Sequence, residues 1–160
     1  MAAEAVPSSV NSDDNLRLTF SALADNALSA AILNAGDDLT YSLVSFDLTE
    51  TQATVNDPRV TLKQILKRPG KTDYTLVVKY VFGDAGDVAA VTLAEGVEGH
   101  ITARYSVPNS TSWAAAQIAD VITFVAGSQR KDAPVENGVQ TIMQELFITA
   151  VVDKDATIVA

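Results

Sequence analysis

At 160 residues the chain has room for one domain with its own core. It contains no Cys and a single His, His100, which excludes disulfides, thiolate nucleophiles and a two-histidine metal site. A net charge of −9 repels polyphosphates on average, so any anion-binding surface must be local.

Residues 1–15 are small and polar and read as an N-terminal arm. They lack a basic region followed by an apolar run, so no signal peptide is expected. No stretch approaches the roughly 20 apolar residues that span a bilayer, and the chain reads as soluble, without membrane contact. From Leu16, alternation of Leu16, Leu18 and Phe20 with Arg17, Thr19 and Ser21 predicts a strand. Segment 27–33 stays open: its alanines favour helix, its brevity and turn-rich flanks favour strand. Alternation resumes over 39–48. After Asp57-Pro58, residues 59–66 read as a strand, 67–71 as a Pro-Gly turn and 73–82 as a strand rich in Val, Tyr and Thr. Residues 83–99 form a long glycine-containing loop whose length suggests a function. A further strand covers 100–107 and ends at Pro108.

Then the apparent period changes. Ala114, Ile118, Val121, Ile122 and Val125 recur at helical spacing behind a Ser/Thr-rich cap, which predicts a helix over 112–126. Val135, Val139, Ile142, Met143, Leu146 and Phe147 do the same over 134–151. These stripes read as core or partner-facing surface. The tail, 152–160, is either disordered or an edge strand. The expected fold is therefore α+β: an antiparallel sheet of five to six strands over 16–107, followed by two C-terminal helices.

Charge is unevenly placed. Between Arg59 and Tyr80 stand six basic residues and one acid, a net of +5, which leaves −14 for the rest of the chain. On the expected strands Thr61, Lys63, Ile65 and Lys67 share one face, as do Asp73, Thr75, Val77 and Lys79. His100, Thr102 and Arg104 alternate on the next strand. Such a face suits phosphate and base contact. It equally suits a solvated strand face whose lysines guard an edge against aggregation. No nucleophile elbow, P-loop, dinucleotide fingerprint or H-E-x-x-H motif is present. Asp13-Asp14 and Asp37-Asp38 are neighbours that point apart on a strand, so they make poor acid/base pairs. The expectation is a non-enzymatic protein with no cofactor, no metal and no small-molecule substrate.

Residues 59–144 resemble the coat proteins of single-stranded RNA bacteriophages, the levivirus-like group. The likeness rests on Arg59-Val60-Thr61-Leu62-Lys63-Gln64, the polar turn after it and Tyr74-Thr75-Leu76-Val77-Val78-Lys79. It continues through the glycine-containing loop, Ser106-Val107-Pro108 and the two expected helices. The resemblance implies an interlocked homodimer over 16–151, with one continuous sheet clasped by the helices. It implies self-assembly into an icosahedral shell around single-stranded genomic RNA, in a virion assembled in the bacterial host's cytoplasm. Binding of an RNA hairpin and translational repression come with it. The RNA-facing positions it assigns are Thr61, Lys63, Lys71, Asp73, Thr75, Val77, His100, Thr102 and Arg104; the charge pattern adds Lys67 and Lys79. Two other readings share the β-rich, Cys-free composition: a different phage structural component, such as a tail-tube or decoration protein, and a small dimeric RNA-binding regulator.

Overall fold

The computed structural model describes residues 9–83 and 86–160. Its elements in chain order are β1 (Leu16–Ala22), α1 (Ala30–Ala35), β2 (Asp37–Asp38), β3 (Leu43–Asp57), β4 (Leu66–Val81) and α2 (Val88–Thr92). They continue with β5 (Glu98–Tyr105), β6 (Ile118–Ala126), β7 (Arg130–Lys131), β8 (Thr141–Ile148) and β9 (Asp153–Thr157). One sheet contains all nine strands in the order β2-β1-β5-β6-β8-β4-β3, with β7 beside β8 and β9 beside β6. Every ladder is antiparallel.

The sheet curls around one core. Leu18 of β1 and Ile101 and Ala103 of β5 meet Ile122 and Phe124 of β6, Leu146 of β8, and Leu76, Val78 and Tyr80 of β4. The alternation of β4 explains its orientation: Leu76, Val78 and Tyr80 are buried, while Val77, Lys79 and Val81 between them are partly exposed. Helix α2 closes part of the core through Ala89 and Leu93. A polar network holds it there. Gln129 Nε2 donates to Ala90 O at 2.9 Å and to the Tyr80 hydroxyl at 2.9 Å. The Tyr80 hydroxyl donates to Gln144 Oε1 at 2.9 Å, and Gln144 Nε2 donates to Leu93 O at 2.9 Å and Gly127 O at 2.7 Å. Each of these buried polar groups therefore has partners, as burial requires.

A second layer covers the outer face of β1, β5 and β6. Leu33 of α1, Trp113, Ala119 and Ile158 form its apolar cluster. Asn34 clasps the backbone of Trp113, donating to its carbonyl and accepting from its N–H, both at 2.9 Å. The Trp113 indole N–H donates to Thr19 Oγ1 at 3.0 Å. The tail is tied in as well, since Ile158 is fully buried and Val159 bridges to Ser29.

The α+β expectation is overturned in its helical half. Segment 112–126 contains β6, and 134–151 contains β8; neither is helical. The physical reason is that β5 and β6 are covered on both faces, so polar alternation disappears from β6 and its apolar spacing imitates a helix. Its composition, Val121, Ile122, Thr123, Phe124 and Val125, already favours the pleated surface. In β8 the inward Gln144, satisfied by the network above, breaks the alternation instead. Without C-terminal helices there is nothing to clasp a partner, so the interlocked dimer falls with them. Segment 27–33 resolves partly into the short α1, and the tail supplies β9. The first eight residues of the expected N-terminal arm lie outside the described residues.

The hairpin at 59–82 also differs from expectation. The strand expected at 59–66 is mostly the tip loop, 58–65, and the turn expected at 67–71 lies inside β4. Pro69 and Gly70 mark a β-bulge, where the register slips between Gln52 and Thr54. A Cβ on Gly70 would meet Ala53 O at 2.9 Å, so glycine is required by a close backbone approach within a strand rather than by a turn.

Candidate functional site

Strands β3 and β4 pair from Leu43 with Tyr80 out to Asp57 with Leu66. The ladder of β4 with β8 ends at Leu76 with Leu146. Beyond that point, from Thr49 and Thr75 outward, the ribbon has two strands only and leaves the body. Eight further residues of β3, nine of the bulged β4 and the tip loop carry it about 25 Å from the sheet, at about 3.3 Å per residue. Almost every residue from Thr49 to Asp73 is exposed.

The ribbon's two faces differ. Beyond the bulge Val55 and Asp57 of β3 share one face with Arg68 and Leu66 of β4. Val60, Leu62 and Ile65 stand at the tip, and Val60 is completely exposed. The other face presents Asn56 and Thr54 beside Lys67 and Pro69, while Lys71 lies in the bulge. Asp57 pairs with Arg59 and Arg68, each at 3.1 Å. Among the described residues Lys63, Lys67 and Lys71 join no ion pair. The arm thus exposes both aliphatic side chains and unpaired lysines.

The expected RNA-facing residues do not share a surface. Thr61, Lys63, Lys67, Lys71 and Asp73 sit on the arm, and Thr75 stands at its base opposite Thr49. Val77 and Lys79 lie on the body, where Lys79 Nζ pairs with Asp132 at 2.6 Å. That bond and one from Thr141 Oγ1 hold the Asp132 carboxyl below its ordinary range. His100, Thr102 and Arg104 are on β5, which β6 and β8 separate from β4.

The β5 residues serve the interior. His100 is tied to Thr123 Oγ1 at 2.9 Å and to Leu23 O at 3.2 Å. Thr102 is fully buried and donates to Ala27 O at 3.2 Å. Arg104 is also fully buried and organises the loop after β5. Its guanidinium donates to Pro108 O, Thr111 O, Ser112 O and Gln117 Oε1 at 2.7–3.2 Å. Trp113 stacks over it at 4.8 Å. Burial first, and the neighbouring Arg17 second, push its pKa down from the ordinary value. Sequence reasoning missed this role because a buried Arg bonded to backbone carbonyls looks, in one dimension, like any surface Arg.

Among the described residues no group of His, Asp or Glu is placed to hold a metal ion. No helix among them is long and apolar enough to cross a membrane. The geometry defines a curled β-sheet with a projecting two-stranded hairpin whose aliphatic and basic side chains are exposed.

The family model of the phage tail tube protein matches residues 3–160, and the chain belongs to that family. Among curated proteins no sequence match is found. Solved structures with a similar fold include a chain of the anti-feeding prophage baseplate, 6-fold symmetrised: TM-score 0.57, 10% identity, 96% of each chain covered. A chain of the native gene transfer agent virion aligns with TM-score 0.55 and 13% identity, covering 92% of this chain and 100% of that one. A chain from the tail of the empty gene transfer agent particle, refined with C6 symmetry, aligns with TM-score 0.53 and 13% identity over the same shares. These likenesses establish a shared fold. Family membership makes the chain a component of a phage-type particle and replaces the RNA-phage coat reading. The icosahedral shell, the single-stranded RNA partner and the RNA-hairpin activity go with it. Of the sequence-level readings, the tail-tube alternative is the one the family match supports.

Proposed function

We propose that this chain is a non-enzymatic building block of a tail tube, in which copies associate into rings and rings stack into a tube. The observation that carries this reading is the arm. Val55, Val60, Leu62, Ile65 and Leu66 are exposed on a ribbon that no other described part of the chain covers. Burying such surface against a second copy is favourable by about 25 cal/mol per Å². Charge supports the same partner. The hairpin segment carries +5 and the remainder −14, so a neighbouring copy offers the arm's lysines a surface of opposite sign. A contact between unlike surfaces of successive copies closes into rings or propagates into a filament. The sixfold symmetry named for two of the similar structures is the ring size this reading adopts. Assembly in the host cytoplasm belongs to the same proposal.

Negative-stain electron microscopy of the purified protein tests it, with tubes as the expected outcome. Replacing 58–65 by a two-residue Asn-Gly turn should leave the monomer's thermal melt within a few degrees and abolish tubes. Closed spherical particles, or tubes that persist without the tip, would overturn the proposal.

A further inference from the structure

Between Glu50 and Tyr74, among the described residues, one ion pair joins the arm to the body. Lys154 of β9 pairs with Glu50 of β3, and its ammonium lies 5.0 Å from the Tyr74 ring centroid on β4. Glu50 and Tyr74 are directly paired across the ribbon. Lys154 therefore grips both strands at one level, two residues outward of the last β4–β8 ladder pair.

The strand that holds Lys154 is built to aim it. Ala119 pairs with Ala156 and Val121 with Asp153, so Lys154 and Asp155 together stand opposite Asp120 in a bulge. Asp155 adopts φ 54°, a left-handed conformation unusual for a side chain other than glycine. Its N–H donates to Asp120 Oδ1 at 2.9 Å, which fixes that turn of the backbone. Bulges re-aim side chains, and this one directs Lys154 toward the hairpin. Val152 and Ala156, buried on either side, fasten the strand to the core clusters.

We infer that Lys154 is a positioning residue: it latches the base of the arm and sets the angle at which the arm leaves the body. An exposed ion pair adds little to global stability, so its effect falls on the ribbon it touches. A two-stranded ribbon is marginal alone, and a swing of about 10° at its base moves a tip about 25 Å away by about 4 Å. That displacement is enough to take the tip off a complementary surface. The consequence for assembly rests on the tube reading above; the latch itself does not.

Hydrogen exchange on the unassembled full chain tests the latch. Lys154→Met should speed exchange of the amides at 49–52 and 72–75 by about threefold to tenfold, with the melting temperature unchanged. Glu50→Lys should do the same, and the swap Glu50→Lys with Lys154→Glu should restore slow exchange. In tube formation the single variants should raise the critical concentration and the swap should lower it again. Unchanged arm exchange in Lys154→Met would overturn the inference. So would a swap as defective as either single variant, because the two side chains would then serve a neighbouring copy rather than each other. Restored exchange in a protein whose wild type forms no tubes would support the latch and defeat the tube reading.

Discussion

Arg104 carries the lesson of the residue scale. Its side chain replaces water for the carbonyls of Pro108, Thr111 and Ser112 and for the Gln117 amide oxygen. Arg104→Met keeps the volume and removes every donor, leaving those acceptors unsatisfied under Trp113. The expected cost is about 3 kcal/mol, read from urea unfolding, since each buried unsatisfied group costs about 1–3 kcal/mol. Gln144 behaves similarly inside the core. Gln144→Leu strips partners from Tyr80, Leu93 and Gly127, and about 2 kcal/mol of lost stability is expected in the same assay. Hydrogen exchange of 88–93 should rise in that variant, because the network anchors α2. At the surface, Asp132 gives a pH prediction with a definite sign. Its folded pKa lies below the ordinary 3.8, so its contribution is complete above that value and is lost as acidification proceeds through the folded pKa. Lys79→Met removes the ammonium hydrogen bond that does most to lower it. The variant's stability should therefore fall less steeply than the wild type's below about pH 4.

At the scale of elements, strands were legible where one face meets solvent, and helices were not. In β1 and the inner half of β4 the alternation of buried and more exposed side chains survives in the sequence, and 16–22 and 73–81 were read as strands. Where both faces are covered, as in β6, the alternation vanishes and spacing alone imitates a helix. The better signal there was composition, with β-branched and aromatic residues over 121–125. The hairpin failed for another reason. Pro69-Gly70 is turn chemistry by local rules, yet the ladder resumes beyond it because a bulge absorbs both residues. Read that way, 43–81 is one long ribbon with a tip at 58–65, and its basic residues move from a flat sheet to a lever. The tip replacement described above belongs to this scale: it removes the lever's end and leaves the sheet ladders β1–β5, β5–β6 and β4–β8 in place.

At the scale of the whole molecule, the sheet curls so that β1 and β4, with β5, β6 and β8 between them in the strand order, share a core. Among the described residues this closure leaves the arm projecting from the body, and the proposed self-association rests on that surface. Raising salt should weaken tube formation if the arm's lysines meet an acidic neighbour, and light scattering across a salt series would measure it. An unchanged critical concentration from about 50 mM to 500 mM salt, over which the screening length shrinks severalfold, would leave the aliphatic side chains as the whole of the contact.

The sequence by itself determined that the protein has no thiol, no histidine pair and no recognisable catalytic motif, that much of it is strand, and that its positive charge gathers in 59–80. Those are properties of composition and local order. Only the tertiary structure decided which of those charges face solvent and which face the interior. Lys63, Lys67 and Lys71 project on the arm because β8 stops pairing at Leu76; Arg104 is enclosed because the segment around Trp113 folds back over β5. Both outcomes depend on which distant strands become neighbours, and strand order is set by long-range packing that period-two patterning does not encode.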